Sequence, residues 1–266
     1  MITFNSRLST VIQTKQSHLC VGLDMNPEAM GSSQASLDTL KSHTFKVMDA
    51  THDLAAAFKP NLAFFERWGS AGFQWLEETM DRFENDAIII GDAKRGDIGN
   101  TAKQYAHSLF THFGFDAVTL SPYMGADSIA PFTADSEKGV FILCRTSNSS
   151  AVDLQNQTIG DEYLFDKTAQ LCVQWNKNDN VGLVLGATAP EEISRVRNQA
   201  PGLPFLIPGI GAQGGDLVRS MQDGNTNGDA LINVSRGISF AGDLSAKAIR
   251  DAAQNYVSQM REIQNT

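Results

Sequence analysis

The chain is poor in the features that would announce several functional classes. It has three cysteines in 266 residues and no CxxC pair, so neither a disulfide framework nor a paired-thiol metal or redox motif is encoded. Cys20 and Cys144 fall in apolar strand-like runs and Cys172 in a helical pattern. They read as buried thiols of a reducing compartment, which places the protein in the cytoplasm. Positive charge is in the minority, 21 Lys and Arg against 30 Asp and Glu, for a net charge of −9. That balance argues against a nucleic-acid partner, while a local cationic pocket for a small anion remains compatible with it. No apolar run reaches the ~20 residues of a membrane-spanning helix, and the first twenty residues lack the basic-then-apolar order of a signal peptide. There are five histidines. None has a diagnostic spacing to a cysteine, and His107 and His112 are not the i,i+4 pair that ligates a metal from one helix face; they read as helix-surface or packing residues.

What is present is alternation. Strand-like runs at 18–24, 57–66, 87–94, 116–122, 139–147, 181–188, 203–211 and 229–237 are each followed by a helical pattern. The runs are near-continuously apolar, as in a parallel sheet covered on both faces. Pro60 interrupts the second and rules out a simple fully hydrogen-bonded strand there. Helical patterns include 100–114, ending at Gly114 as a C-cap, and 190–200, with Pro190 at an early helix position. Eight strand–helix units without an interrupting gap predict an α/β fold, a (β/α)8 TIM barrel, with residues 1–266 as one domain.

A barrel of this kind builds its active site from the C-terminal ends of its strands. Asp24, Lys59, Asp92, Lys94, Ser121, Thr146, Thr188 and Arg236 all stand at or beyond such ends. The densest cluster is GDAKRGDIGNT, Gly91 to Thr101. In a continuing strand, Asp92 and Lys94 point to one side. Carboxylates suit Mg2+, but the interleaved lysines weaken a metal reading. A lysine general acid held charged by neighbouring carboxylates fits the same residues. At the other side, PGIGAQGG carries GxGxxG spacing at Gly209, Gly211 and Gly214. It follows the seventh run and lacks the downstream acidic partner of a dinucleotide fold. Together with Arg236 and Gln213 it reads instead as a phosphate grip between the last two strands.

The segments FKPNLAFFE, DAKRGDIGNT, SPYMGADSI, RTSN, PGIGAQGG and NVSRGI together resemble the orotidine 5′-phosphate decarboxylase family. The likeness runs from strand one to strand eight, and the SPYMGADS and RTSN forms resemble its longer-loop bacterial branch. The resemblance implies a cofactor-free carboxy-lyase of pyrimidine biosynthesis, without metal, acting as a homodimer with shared active sites on a small nucleotide. It implies Lys59, Asp92 and Lys94 as the charged array, completed by Asp97 of the other subunit. It places Asp24 and Thr101 at the ribose, Ile98 in the apolar lining, and Gln213 and Arg236 at the phosphate. The pyrimidine contact falls on Ser147, with Thr146 adjacent as the alternative.

The chemistry implied explains such an array. Losing CO2 from C6 of the pyrimidine leaves charge in an in-plane orbital that the ring π system does not absorb, so a preorganised cation at C6 is needed. Two other readings are compatible with parts of the pattern: a Mg2+-dependent sugar-phosphate decarboxylase, aldolase or epimerase on a related barrel, and a non-catalytic nucleotide-binding barrel.

Overall fold

The computed structural model describes residues 2–31, 34–83, 86–211 and 214–265. Eight strands follow the expected order: β1 (Leu19–Gly22), β2 (Ala57–Lys59), β3 (Ile88–Arg95), β4 (Ala117–Leu120), β5 (Gly139–Arg145), β6 (Val181–Leu185), β7 (Phe205–Pro208) and β8 (Ala230–Val234). Each pairs in parallel with its neighbours in the chain, and β8 closes onto β1 with Leu19 opposite Ile232. The fold is a (β/α)8 barrel. Helices α1 (Phe4–Lys15), α2 (Leu37–Thr51), α3 (Leu62–Glu66), α4 (Gly69–Met80), α5 (Gly99–Ala106), α6 (Ala126–Thr133), α7 (Leu164–Trp175), α8 (Pro190–Gln199), α9 (Leu217–Asn225), α10 (Arg236–Ser239) and α11 (Ala246–Gln264) accompany the strands.

The two-residue period of each strand divides its side chains between two cores. Ile88 and Ile90 join Cys20, Ala57, Ala117, Phe141, Val184, Leu206 and Leu231 in the smaller, interior cluster. Ile89 belongs to the larger layer between strands and helices. The apolar runs are therefore continuous because both faces are buried.

The first helix was not marked by a continuous apolar pattern. Only Phe4, Leu8 and Ile12 of α1 are buried, but their four-residue spacing puts them on one face, and that face joins the interior cluster. The Phe4 ring meets Phe141 edge-on at 6.0 Å. Gly139 permits this approach, since a Cβ there would lie 2.2 Å from the Phe4 ring.

Several boundaries differ from the sequence reading. The run 57–66 is a strand only to Lys59; after Pro60, the Asn61 side chain accepts from Ala63 N–H and starts α3. The pattern at 100–114 is α5 to Ala106, then a π-helical turn from His107 to His112, with Gly114 at φ 76° beyond it. A small hairpin, Thr158–Ile159 with Glu162–Tyr163, precedes α7. Cys20, Cys144 and Cys172 are buried and unbridged, and burial pushes the Cys20 thiol up to about 12. Among the described residues no helix is long and apolar enough to cross a membrane.

Candidate active site

At the C-terminal end of the barrel the inward line of side chains changes from apolar to polar. Ala57 is followed by Lys59, Ile90 by Asp92, Ala117 by Thr119 and Leu231 by Asn233, each two residues on. The strand period therefore delivers them to one place. With Asp24, Asn61, Lys94 and Arg236 they line a cavity of about 500 Å³ whose apolar wall includes Leu143, Val184, Leu206 and Ile210.

Asp92 is the hub. Its Oδ2 accepts from Lys59 Nζ at 2.7 Å and its Oδ1 from Lys94 Nζ at 2.5 Å. Thr119 Oγ1 also donates to Oδ1, at 2.9 Å. Burial would raise the Asp92 carboxyl, but the two ammonium groups outweigh it and hold the carboxyl well below the usual carboxylate range. Burial would likewise lower the Lys59 ammonium, but Asp92 and Asp24 hold it above the usual lysine range. Both side chains are thus fixed in their charged forms. Lys94 is the more exposed cation, with 49% of its side chain accessible against 5% for Lys59, so it is the one presented to the cavity.

Lys94 does not reach Asp92 along a regular strand. The β3–β4 register shifts between Gly91 and Arg95, and Lys94 sits at φ 46°. Its backbone N–H donates to Thr119 Oγ1 at 3.0 Å, so Thr119 holds both the strained residue and its carboxylate partner. The sequence reading missed Thr119, as it missed Asn61, Asn148, Gln155, Asn233 and Ser235, all of which line the cavity. For Thr119 and Asn233 the signal was the inward alternation of their strands.

On a second side the loop after β5 contributes Thr146, Ser147, Asn148 and Gln155. The polar groups of Thr146 are engaged within the protein: N–H on Gln155 Oε1 at 2.8 Å, hydroxyl on Asn148 Oδ1 at 2.6 Å, and carbonyl on the Arg145 guanidinium. Ser147 is seated against Gly186, where a Cβ would fall 2.6 Å from Ser147 N.

The third side is formed by Pro208, Gly209, Ile210, Ser235 and Arg236. Gly209 and Gly211 have φ values of 112° and 79°, conformations that favour glycine. Arg236 is exposed at the start of α10 and has no ion-pair partner among the described residues. Gln213 lies outside the described residues. Asp24 Oδ1 is buried without a hydrogen-bond partner among them, which leaves an acceptor facing this polar cavity.

Asp97, Ile98 and Thr101 are not brought to the cavity of their own barrel. Asp97 Oδ1 accepts from Ile98 N–H at 2.8 Å, and Ile98 is 45% exposed. Ser121 and Thr188 stand at strand ends without lining the cavity: Ser121 is packed on Gly96, and Thr188 Oγ1 approaches Ser147 O at 3.5 Å. Among the described residues no three His, Cys, Asp or Glu side chains gather to hold a metal ion.

Residues 17–250 match the family model described as orotidine 5′-phosphate decarboxylase / HUMPS. The chain is 46% identical to the orotidine 5′-phosphate decarboxylase of Natronomonas pharaonis, over 92% of this chain and 91% of that one. It is similar to the solved structure of Leishmania donovani OMP decarboxylase, with TM-score 0.88 and 40% identity over 99% of both chains. It also matches the UMP synthase of the same organism with TM-score 0.89 and 41% identity, covering 99% of this chain but 57% of that longer one.

Proposed function

The chain belongs to the orotidine 5′-phosphate decarboxylase / HUMPS family and is a carboxy-lyase that converts orotidine 5′-phosphate to uridine 5′-phosphate and CO2 in pyrimidine biosynthesis; we propose that it does so with Lys59, Asp92, Lys94 and a partner-supplied Asp97, without a cofactor. The observation that carries this reading is Asp92, whose two carboxylate oxygens each accept from a different ammonium at the mouth of the barrel. With Lys59 and Lys94 occupying both oxygens, the array is built to hold cations in place.

In this reading the C6–carboxylate bond breaks, CO2 departs, and the electron pair stays on C6. Lys94 Nζ stabilises that developing charge and transfers a proton to it, then recovers a proton from water. Asp92 directs Lys94 through the hydrogen bond to its Oδ1, and Lys59 pairs with the other oxygen of Asp92. Arg236 and Gln213 take the phosphate, which lies far enough from the reacting carbon to supply binding energy for positioning. Asp24, with its unpartnered buried oxygen, and Thr101 take ribose hydroxyls. Ser147, which lines the cavity beside Thr146, meets the pyrimidine.

The proposed unit is a homodimer with shared sites. Asp97, Ile98 and Thr101 lie outside their own cavity, on a rim where Tyr123 and Met124 are also exposed. The loops carrying these residues touch, with Gly96 against Ser121, so a second copy seated there would cover apolar surface and receive Asp97. The same reading treats residues 1–266 as one barrel domain and, from the three buried thiols, places it in the cytoplasm.

The test is to supply orotidine 5′-phosphate in chelator-treated buffer and follow uridine 5′-phosphate formation. Unimpaired conversion supports the cofactor-free array. Conversion that needs added Mg2+ contradicts it.

A further inference from the structure

The Gln155 carboxamide, which lines the cavity, binds both the backbone and the side chain of a single residue, Thr146. Its Oε1 accepts Thr146 N–H at 2.8 Å, and its Nε2 donates to Thr146 Oγ1 at 2.8 Å. The Thr146 hydroxyl donates to Asn148 Oδ1, 2.6 Å away. The same hydroxyl also lies 3.1 Å from Gln155 Oε1, so the Gln155 carboxamide meets Thr146 at both its N–H and its hydroxyl.

The rest of the loop is held at both ends. Arg145 O accepts Gly186 N–H at 2.7 Å, and the Arg145 side chain pairs with Glu192 at 2.6 Å. Asn156, next to Gln155, donates to the same Glu192 at 3.1 Å. Gly186 leaves no room beneath Ser147. With the Thr146 N–H held by Gln155, the Thr146 carbonyl held by the Arg145 guanidinium and the floor beneath Ser147 closed by Gly186, the backbone leading into Ser147 is fixed at the cavity edge.

We infer that Gln155 is a positioning residue for base recognition: through Thr146 it sets the direction in which Ser147 meets the pyrimidine, and so contributes to the choice between a uracil-type edge and a cytosine-type edge. This rests on the reading that Ser147 contacts the base. A uracil edge offers N3–H and O4, whereas a cytosine edge offers N3 and an amino group, so donor and acceptor exchange places at the two positions. A peptide N–H held in one place discriminates between them, while the hydroxyl beside it can serve either as donor or as acceptor; a loop free to turn accommodates both edges.

The test compares dissociation constants for uridine 5′-phosphate, cytidine 5′-phosphate and ribose 5-phosphate in wild type, Gln155→Met, Thr146→Val, the double variant and Ser147→Ala. Gln155→Met keeps the length and loses the carboxamide's hydrogen bonds to Thr146. It should reduce the cytidine-to-uridine ratio of dissociation constants roughly tenfold, the size of one good hydrogen bond, and leave ribose 5-phosphate affinity unchanged. Thr146→Val should move the ratio in the same direction, and the double variant should be no worse than Gln155→Met alone, because the two residues act as one unit. A Gln155→Met ratio equal to wild type, with a reduced ratio in Ser147→Ala, overturns the inference while leaving Ser147 in place. An unchanged ratio in both Gln155→Met and Ser147→Ala overturns the inference together with the side-chain contact to the base. Equal weakening of all three ligands by Gln155→Met overturns it too, since that is the signature of a damaged barrel mouth. If Gln155→Met does not fold, Thr146→Val decides by the same ratio.

Discussion

Lys59 Nζ donates to Asp92 Oδ2 at 2.7 Å in a barrel mouth where only 5% and 9% of the two side chains are exposed. A carboxylate and an ammonium taken this far from water must keep each other charged. Everything else in the array is arranged around that pair: Lys94 on the other oxygen of Asp92, and Thr119 bracing both.

The pair has a defined pH window. Asp92 is depressed below its ordinary value of 3.8, so its contribution to stability is present above that value and is lost as pH falls through the depressed one. Lys59 is raised above 10.5, so its contribution is present below that value and is lost as pH rises through the raised one. Lys59→Met should cost about 3 kcal/mol, the cost of leaving a buried charge without its partner. The difference from wild type, measured by denaturant unfolding, should be constant between about pH 5 and pH 9. A difference that changes steeply near neutrality would show that some other group governs it.

Lys94 supplies a prediction that separates activity from stability. Its φ of 46° is costly for any side chain and free for glycine. Lys94→Gly should therefore be more stable than Lys94→Ala by roughly 1 kcal/mol, while both lack activity. Thermal unfolding of the two variants settles the order. Equal midpoints would mean that the backbone relaxes when the lysine is removed.

Arg236 lines the cavity with no ion-pair partner among the described residues, and in the proposed reading it takes the phosphate. Arg236→Ala should weaken orotidine 5′-phosphate by several kcal/mol and leave orotidine, which has no phosphate, nearly unaffected. Calorimetric titration with the two ligands is the measurement, and equal losses would assign Arg236 elsewhere.

The fold was legible because eight runs buried on both faces repeat with helices between them, a pattern few architectures share. Lys59, Asp92, Lys94 and Arg236 were legible as charges at strand ends. Thr119 and Asn233 were not, since a single polar residue at the end of an apolar strand carries no charge to draw notice; only the inward register of Ala117 and Leu231 gives them a destination. Gln155 was hidden for another reason. It lies nine residues beyond Thr146 in a loop, and no periodicity relates the two. The bend at Lys94 was also invisible, because the sequence states the spacing of Asp92 and Lys94 but not the register shift that brings them together.

The central claim is that each working site combines Lys94 of one subunit with Asp97 of the other, and subunit mixing tests it most directly. Lys94→Ala and Asp97→Ala proteins should each be severely impaired. Mixed at equal concentration and allowed to exchange, about half the dimers become hybrids. In each hybrid one site carries both defects and the other has intact Lys94 and intact Asp97. Decarboxylation should rise from near background to about one quarter of the wild-type site count. Hybrids verified by mass and still inactive would contradict the shared site.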